Sequence, residues 1–340
     1  MTVTIALDVM GGDHGAKTLV PAALEAVAED PNLDIILVGD ERQISEQLSR
    51  NKEQHNPAIK LRATSQIVAM DESPAHALRN KKDSSMRVAI DLVHQGIAQA
   101  CVSAGNTGAL MATGRFVLKM IQGIDRPAIV TSVPTQHKFT HILDLGANVD
   151  CSPEHLVQFG LMGSVLVKSL HGITRPKVAL LNIGSEEIKG NEQVRLASDL
   201  MAEIQAINYV GFIEGNTLFF DSVDVVVCDG FAGNVALKTM EGTSKLIGGF
   251  IKTEFESTLS SKLAGLASRQ VLNRVRKRID PREYNGATLI GLNGIILKSH
   301  GDSDEMATVV ALKKATQEVN NDILSRIRHE VYNIIKHEAE

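Results

Sequence analysis

The run Ala100-Cys101-Val102-Ser103-Ala104-Gly105-Asn106-Thr107-Gly108-Ala109-Leu110-Met111 constrains the fold more than any other stretch of the chain. A short apolar segment enters a turn with two glycines, and a helix-compatible run, Ala109 to Met120, leaves it. Strand, glycine turn and helix start, in that order, gather backbone N–H groups at the positive end of a helix dipole, where an anion binds. The absence of side chains at Gly105 and Gly108 lets a phosphate-sized ligand come close.

The same unit recurs along the sequence. Residues 3–9 are apolar and rich in β-branched types and break at Met10-Gly11-Gly12-Asp13-His14-Gly15; 16–29 has helical periodicity, and 34–38 is a second apolar strand. Further helices are expected at 41–50, 86–95, 154–170 and 191–206. Further strands are expected within 61–70 and at 128–133, 141–145, 177–183, 209–214 and 223–228. A long helical stretch, 232–279, precedes two late strands (287–291 and 295–298) and a terminal helix over about 303–336. Apolar strands alternating with helices predict a parallel sheet covered by helices, an α/β protein. No Ser/Pro-rich linker, low-complexity tract or repeat divides residues 1–340, so a single domain with two intertwined halves is expected.

Composition narrows the functional classes. A net charge of −5 lacks the basic excess of a general nucleic-acid binder, and 4% aromatic residues with no Trp leave little for base-stacking platforms. Three scattered cysteines, Cys101, Cys151 and Cys228, make neither a disulfide framework nor a thiolate zinc site and read as buried, inert thiols. The first residues carry no basic region and no small-residue cleavage site, and no apolar run approaches the ~20 residues of a spanning helix. A cytoplasmic location is therefore expected.

Glycine and asparagine turns stand at successive expected strand ends. They are 11–15, 105–108, Asp144-Leu145-Gly146-Ala147-Asn148, Asn182 to Gly190, Glu214-Gly215-Asn216, Asp229-Gly230-Phe231-Ala232-Gly233-Asn234 and His300-Gly301. Ligands collect at the carboxyl ends of parallel strands, so these turns predict a cleft of backbone N–H groups and amide side chains suited to an anion. None has the G-x-G-x-x-G dinucleotide spacing, a Walker A sequence or a G-x-S-x-G elbow. No H-E-x-x-H and no clustered His/Asp ligands argue for a metal, although Asp13, Asp144 and Asp229 could share one. His14 beside Asp13 is the most suggestive proton carrier, against the plainer reading of a surface histidine at a helix start. Lys189 is placed to reach a phosphate, or is a solvated lysine. Asp8 is read only as orienting its turn.

The segment 250–282 is of another kind. Phe250, Ile251, Phe255, Leu259, Leu263, Leu266, Val271, Leu272, Val275 and Ile279 recur every three or four residues among Lys252, Lys262, Arg269, Arg274, Arg276, Lys277, Arg278 and Arg282. A basic amphipathic helix on an acidic chain predicts an acidic partner, lipid or protein. A helical hairpin or subunit interface competes with that reading.

On the runs 5–15, 103–109, 144–148, 182–190 and 229–234, the chain resembles the bacterial phosphate acyltransferases, in order and without a large insertion. The resemblance implies transfer of a long-chain fatty acyl group from acyl carrier protein to inorganic phosphate, giving acyl phosphate for phospholipid synthesis, with no cofactor. It implies a homodimer, a three-layer α/β/α fold with a mostly parallel sheet in two intertwined parts, like the isocitrate and isopropylmalate dehydrogenases and phosphotransacetylases, and peripheral membrane association with a glycerol-3-phosphate acyltransferase that takes the product. Bottom-up, phosphate is already a nucleophile, so the enzyme need only hold it in line with the thioester and stabilise the oxyanion. His14, Asp13, Asn106 and Asp229 are the expected catalytic residues. Gly11, Gly12, Gly105, Thr107, Gly108, Asn148, Lys189, Asn216, Gly233 and Asn234 are the expected substrate contacts. Rival readings are a phosphotransacetylase-like transfer from acyl-CoA, a non-catalytic binder of phosphate or acyl chains, and a hydride-transfer enzyme.

Overall fold

The computed structural model describes residues 2–136 and 139–338; for Arg276, Lys277, Ile279, Pro281 and residues 335–338 it describes the backbone alone. The strands are Val3–Asp8 (β1), Leu33–Gly39 (β2), Ile59–Ala63 (β3), Ala100–Ser103 (β4), Ala128–Pro134 (β5), Phe139–Leu143 (β6), Lys177–Asn182 (β7), Asn208–Glu214 (β8), Val225–Val227 (β9), Ala287–Ile290 (β10) and Ile295–Lys298 (β11). The helices are Ala16–Glu29 (α1), Glu41–Arg50 (α2), Pro74–Asn80 (α3), Ser85–His94 (α4), Thr107–Leu118 (α5), Pro153–His171 (α6) and Glu192–Glu203 (α7). Gly230–Glu256 (α8), Leu259–Ala267 (α9), Arg269–Ile279 (α10), Glu305–Asn320 (α11) and Ile323–Glu338 (α12) complete them.

All strands join one sheet in the order β3-β2-β1-β4-β11-β10-β5-β6-β9-β7-β8. Because β11 and β10 return from late in the chain to lie between β4 and β5, the halves are interleaved, as expected. Pairing is parallel from β3 to β11, antiparallel at β11–β10, β10–β5 and β5–β6, and parallel again from β6 to β8. The second parallel block therefore runs opposite to the first. The glycine turns do not line one edge of the sheet, as a uniformly parallel reading predicts; they form two groups.

Strand alternation builds the layers. In β1, Ile5 and Leu7 pack with residues of α1 and α11, while Ala6 faces the α4 and α5 side. Helices α6 and α12 cover the second block through Leu156, Phe159, Met162 and Ile327. Helix α8 crosses the α4/α5 side, with Ala232, Leu237 and Met240 against that core.

The expected helix 232–279 is three helices. Thr258 caps α9 by accepting the amide N–H of Ser261, so the chain turns there despite continuous apolar periodicity. The terminal helix also breaks, at Asp322, whose φ is +52°. Beyond its first turns α8 carries exposed apolar side chains, Leu246, Ile247 and Phe250 among them, and α9 exposes Leu259 (82%), Leu263 and Leu266. Gly265 of α9 lies against the Phe255 ring, so α9 folds onto the end of α8. The expected basic amphipathic segment is thus an arm standing off the body, although the side chains of Arg276, Lys277 and Ile279 lie outside those described.

Candidate active site

Three neighbouring parallel strands end on a polar row. In register, Asp8 of β1 pairs with Ser103 of β4, and Ser103 pairs with Lys298 of β11. In-register residues of parallel strands share a face, here the side of α4, α5 and α8. The Ser103 hydroxyl donates to Asp8 Oδ2 at 2.6 Å and accepts the Gly105 amide N–H at 3.1 Å. Burial pushes the Asp8 carboxyl up, against the hydrogen bond from Ser103. Lys298 Nζ donates to the carbonyl of Ala104 at 3.2 Å and to that of Ser299.

Above this row the first group of turns closes together. A Cβ on Gly11 would lie 2.7 Å from the Gly105 amide nitrogen and 2.8 Å from Asp8 Oδ2, so only glycine lets the two turns pack back to back over the carboxylate. The Asp13 amide N–H donates to the carbonyl of Gly301 at 2.8 Å, which joins the turn after β11 to the same group. Helix α5 starts here, and the first-turn amides of Thr107 and Gly108 have no intrahelical acceptor.

The second group forms where β6 and β9 end. Asp144 is fully buried. Its Oδ1 accepts the amide N–H groups of Ile129, Gly146 and Ala147, and its Oδ2 accepts the amide and side-chain Nδ2 of Asn148. Burial raises this carboxyl, while the amides of Ile129 and Ala147 and the Asn148 side chain lower it. Asn148 in turn accepts the Gly230 amide N–H at 2.7 Å, and Asp229 caps α8 by accepting the Ala232 amide N–H at 2.7 Å.

Helix α8 connects the groups. Asn234 lies against Gly146, and Lys238, one turn further on the same helical face, brings its Nζ to 3.5 Å from His300 Nε2. His300 Nδ1 lies 2.6 Å from Asp302, and Lys238 also pairs with Glu241 at 2.8 Å. Helix α8 thus touches both groups, at Gly146 through Asn234 and at His300 through Lys238.

The predicted residues distribute accordingly. Gly11, Gly12, Asp13, His14, Gly105, Asn106, Thr107 and Gly108 fall in the first group; Asn148, Asp229, Gly233 and Asn234 fall in the second. Asp13, His14, Thr107 and Asn234 are exposed. Asn106 is engaged at both ends of its amide: Oδ1 accepts the Ala109 N–H, and Nδ2 donates to the carbonyls of Met70 and Glu72. It caps α5 and fastens the 69–72 loop beside the turn. Lys189 and Asn216 are exposed after β7 and β8, beyond β9, and Lys189's main chain bonds within its own loop, to Glu186 and Asn182. Cys101 and Cys228 are buried and Cys151 partly so; burial pushes Cys151 up to about 12 and raises the other two well above the ordinary thiol range, which keeps all three protonated. Lys298 and Lys238 are the residues that sequence reasoning misses. The signal for Lys298 is a charge closing the apolar run Ile295-Ile296-Leu297; Lys238 carries none until α8 is placed.

The double role of Asn106 yields an expected result. Asn106→Ala loses the cap, worth about 1 kcal/mol, and frees the 69–72 loop. A melting curve shows a drop of a few degrees, and Asn106→Asp, which keeps the cap oxygen, recovers part of it.

The family model of the fatty acid synthesis protein matches residues 3–326. A phosphate acyltransferase from Methylococcus capsulatus is 55% identical over 324 residues, 95% of either chain. A phosphotransacetylase from Streptococcus pyogenes has the same fold, with a TM-score of 0.62 over 94% of each chain at 17% identity. A 4-hydroxythreonine-4-phosphate dehydrogenase from Klebsiella pneumoniae follows at 0.56, over 93% of this chain and 99% of its own, at 12% identity. The expected three-layer α/β/α fold, seen also in these phosphotransacetylase and dehydrogenase structures, is thus the one observed. With half of its residues identical over nearly its whole length, the chain belongs to the phosphate acyltransferase family.

Proposed function

We propose that the acyl donor is long-chain acyl carrier protein and that the reaction is direct attack by inorganic phosphate on its thioester. A phosphate oxygen bonds to the carbonyl carbon, the C–S bond breaks, and acyl phosphate and the free carrier thiol leave for phospholipid synthesis. The observation that carries this reading is that helix-start amides and two lysines gather at the strand ends, while all three cysteines, buried or partly so, are held protonated. Such a site serves a nucleophile brought in as an anion better than one built from a side chain. The Thr107 and Gly108 amides cradle the phosphate, with Gly11, Gly12 and Gly105 keeping the turns close and Asn106 holding the turn's shape. Asp229, Asn234 and His14 face the thioester, His14 with Asp13 beside it protonating the leaving thiolate, whose pKa of about 8.5 asks little of a general acid. Lys189 and Asn216 are assigned to the carrier's prosthetic arm, on the far side of Asn148 and Gly233.

The arm supports the choice of carrier protein. Lys252, Lys262, Arg269, Arg274 and Arg278 lie among its exposed apolar side chains, an arrangement that fits an acidic partner. The same surface suits a homodimer and peripheral contact with a membrane where a glycerol-3-phosphate acyltransferase takes the product. Among the described residues no helix is long and apolar enough to cross a membrane.

The phosphotransacetylase likeness in fold favours a second reading, transfer from acyl-CoA. Steady-state kinetics separate the two. The proposal expects kcat/KM for long-chain acyl-ACP to exceed that for the matching acyl-CoA at least tenfold, and Lys262→Glu with Arg269→Glu to remove most of the difference. Equal or reversed values assign the enzyme to acyl-CoA.

A further inference from the structure

We propose that Lys298 binds the attacking phosphate at the carboxyl ends of β1, β4 and β11, and that Asp8 is the positioning residue that keeps its ammonium in place. The inference rests on the reading that this chain transfers acyl groups to phosphate, and it names the side chain that recognises the acceptor.

The first argument is placement. Asp8, Ser103 and Lys298 occupy one register row on one face of three adjacent strands. Every residue preceding them in those strands from Ile5, Ala100 and Ile295 is buried and apolar. A packing role there would be served by Leu or Val at no desolvation cost, whereas a buried charge needs a partner.

The second argument is incompleteness. Lys298 Nζ has three N–H donors and gives two of them to the carbonyls of Ala104 and Ser299. Among the described residues no carboxylate lies within ion-pair distance of it. Asp8, 1% exposed, has Oδ1 without a hydrogen bond of good geometry, the Ser85 hydroxyl and the Met10 backbone lying close enough only to help Ser103 hold the carboxyl down against burial. The row is therefore a half-satisfied buried polar network, the arrangement that a ligand completes. An anion accepting the third Lys298 N–H lies beside the Gly105 turn, because Ala104, whose carbonyl Lys298 already reaches, is the residue before it. In the proposal the same anion sits at the Thr107 and Gly108 amides, at the start of α5 and three and four residues on from Ala104. Lys238, from α8, brings a second ammonium to the same region through its contact with His300.

The third argument is charge. The charged groups around Lys298 are Asp8 and Asp13 on the β1 side, Lys238 from α8 and His300 in its own turn; on the opposite face, Lys314 and Glu318 of α11 are buried and attract each other. Burial pushes Lys298 down to about 8, with Lys238 adding to that shift and Asp8 and Asp13 opposing it. The lysine is protonated below that value, so phosphate affinity is full at neutral pH and falls as pH rises through about 8.

The test measures KM for phosphate and for acyl-ACP, with phosphate-induced thermal stabilisation as an activity-independent readout. Lys298→Met is expected to raise KM for phosphate by about 10- to 100-fold, the loss of one charge-assisted hydrogen bond, with KM for acyl-ACP changed less than threefold. Its melting temperature no longer responds to phosphate. Lys298→Arg keeps its charge at all accessible pH, so its KM for phosphate stays flat from pH 7.5 to 9.5 where the wild type rises. Asp8→Asn raises KM for phosphate less than Lys298→Met does. An unchanged KM for phosphate in Lys298→Met, with only a lowered melting temperature, makes Lys298 a structural tie and overturns the proposal. If Lys298→Met does not fold, a wild-type-like pH profile in Lys298→Arg overturns it instead. If the wild type itself shows no phosphate-dependent loss of thioester, the underlying reading fails, which these variants do not imitate.

Discussion

Gly233→Ala is expected to abolish measurable acyl transfer and to lower stability by about 3 kcal/mol or more. A Cβ built at Gly233 falls 1.9 Å from the carbonyl oxygen of Asp144 and 2.9 Å from the Cys228 sulfur. The obstacle at 1.9 Å is main chain, so no rotamer change relieves it, and the first turn of α8 must move away from the loop after β6. That movement breaks the 2.7 Å bond from the Gly230 amide to Asn148 and carries Asn234 and Lys238 off their partners. Both walls of the cleft are affected because one helix holds them. Gly215→Ala, where an added Cβ meets nothing within 4 Å, serves as the control and leaves the melting temperature unchanged. Thermal melting together with initial rates checks both outcomes.

Asp144→Ala is the second large effect. The carboxylate is the common acceptor for four main-chain N–H groups and for the Asn148 side chain, inside the core. Its removal strands buried donors at about 1–3 kcal/mol apiece, partly repaid by water entering the loop. A net loss of about 3–5 kcal/mol follows, seen as a melting temperature roughly 5–10 °C lower. Asp144→Asn does not rescue it fully, since an amide NH2 in place of Oδ2 faces the Asn148 donors. Activity falls in both variants through disorder of 145–148 rather than through lost chemistry, so KM for acyl-ACP rises while the pH profile keeps its shape.

Much of the fold is legible in the sequence because burial on both faces writes parallel strands as uninterrupted apolar runs: Ile5-Ala6-Leu7, Ile35-Ile36-Leu37, Val225-Val226-Val227. Strand direction is not written this way. The residues of β10 and β6 read the same whether they pair parallel or antiparallel, so the reversal that divides the glycine turns into two groups appears only in three dimensions. Helix α3 escapes a reading based on apolar periodicity because it is short and mostly exposed, with Ala77 its buried residue, although Ser73 before Pro74, its hydroxyl accepting the His76 amide N–H, is a start signal. The break between α8 and α9 hides behind apolar periodicity that Thr258 interrupts by capping alone.

For the site, the turns are legible and the charges are not. Glycines at strand ends locate both walls, because close approach of backbone leaves a compositional mark. The mark of Lys298 is ambiguous. A lysine closing an apolar run reads as a strand leaving the core, and only register with Asp8 and Ser103 shows it half-buried beside them. Asn106, prominent in the sequence, has its side chain engaged in holding the turn.

The central claim is that phosphate itself attacks the thioester. The most direct measurement mixes the enzyme with an equal amount of long-chain acyl-ACP in phosphate-free buffer and follows free carrier thiol, then adds phosphate. The account predicts no thiol before phosphate, and afterwards one acyl phosphate for each thiol released. A burst of thiol equal to the enzyme concentration in the absence of phosphate marks an acyl-enzyme and contradicts it.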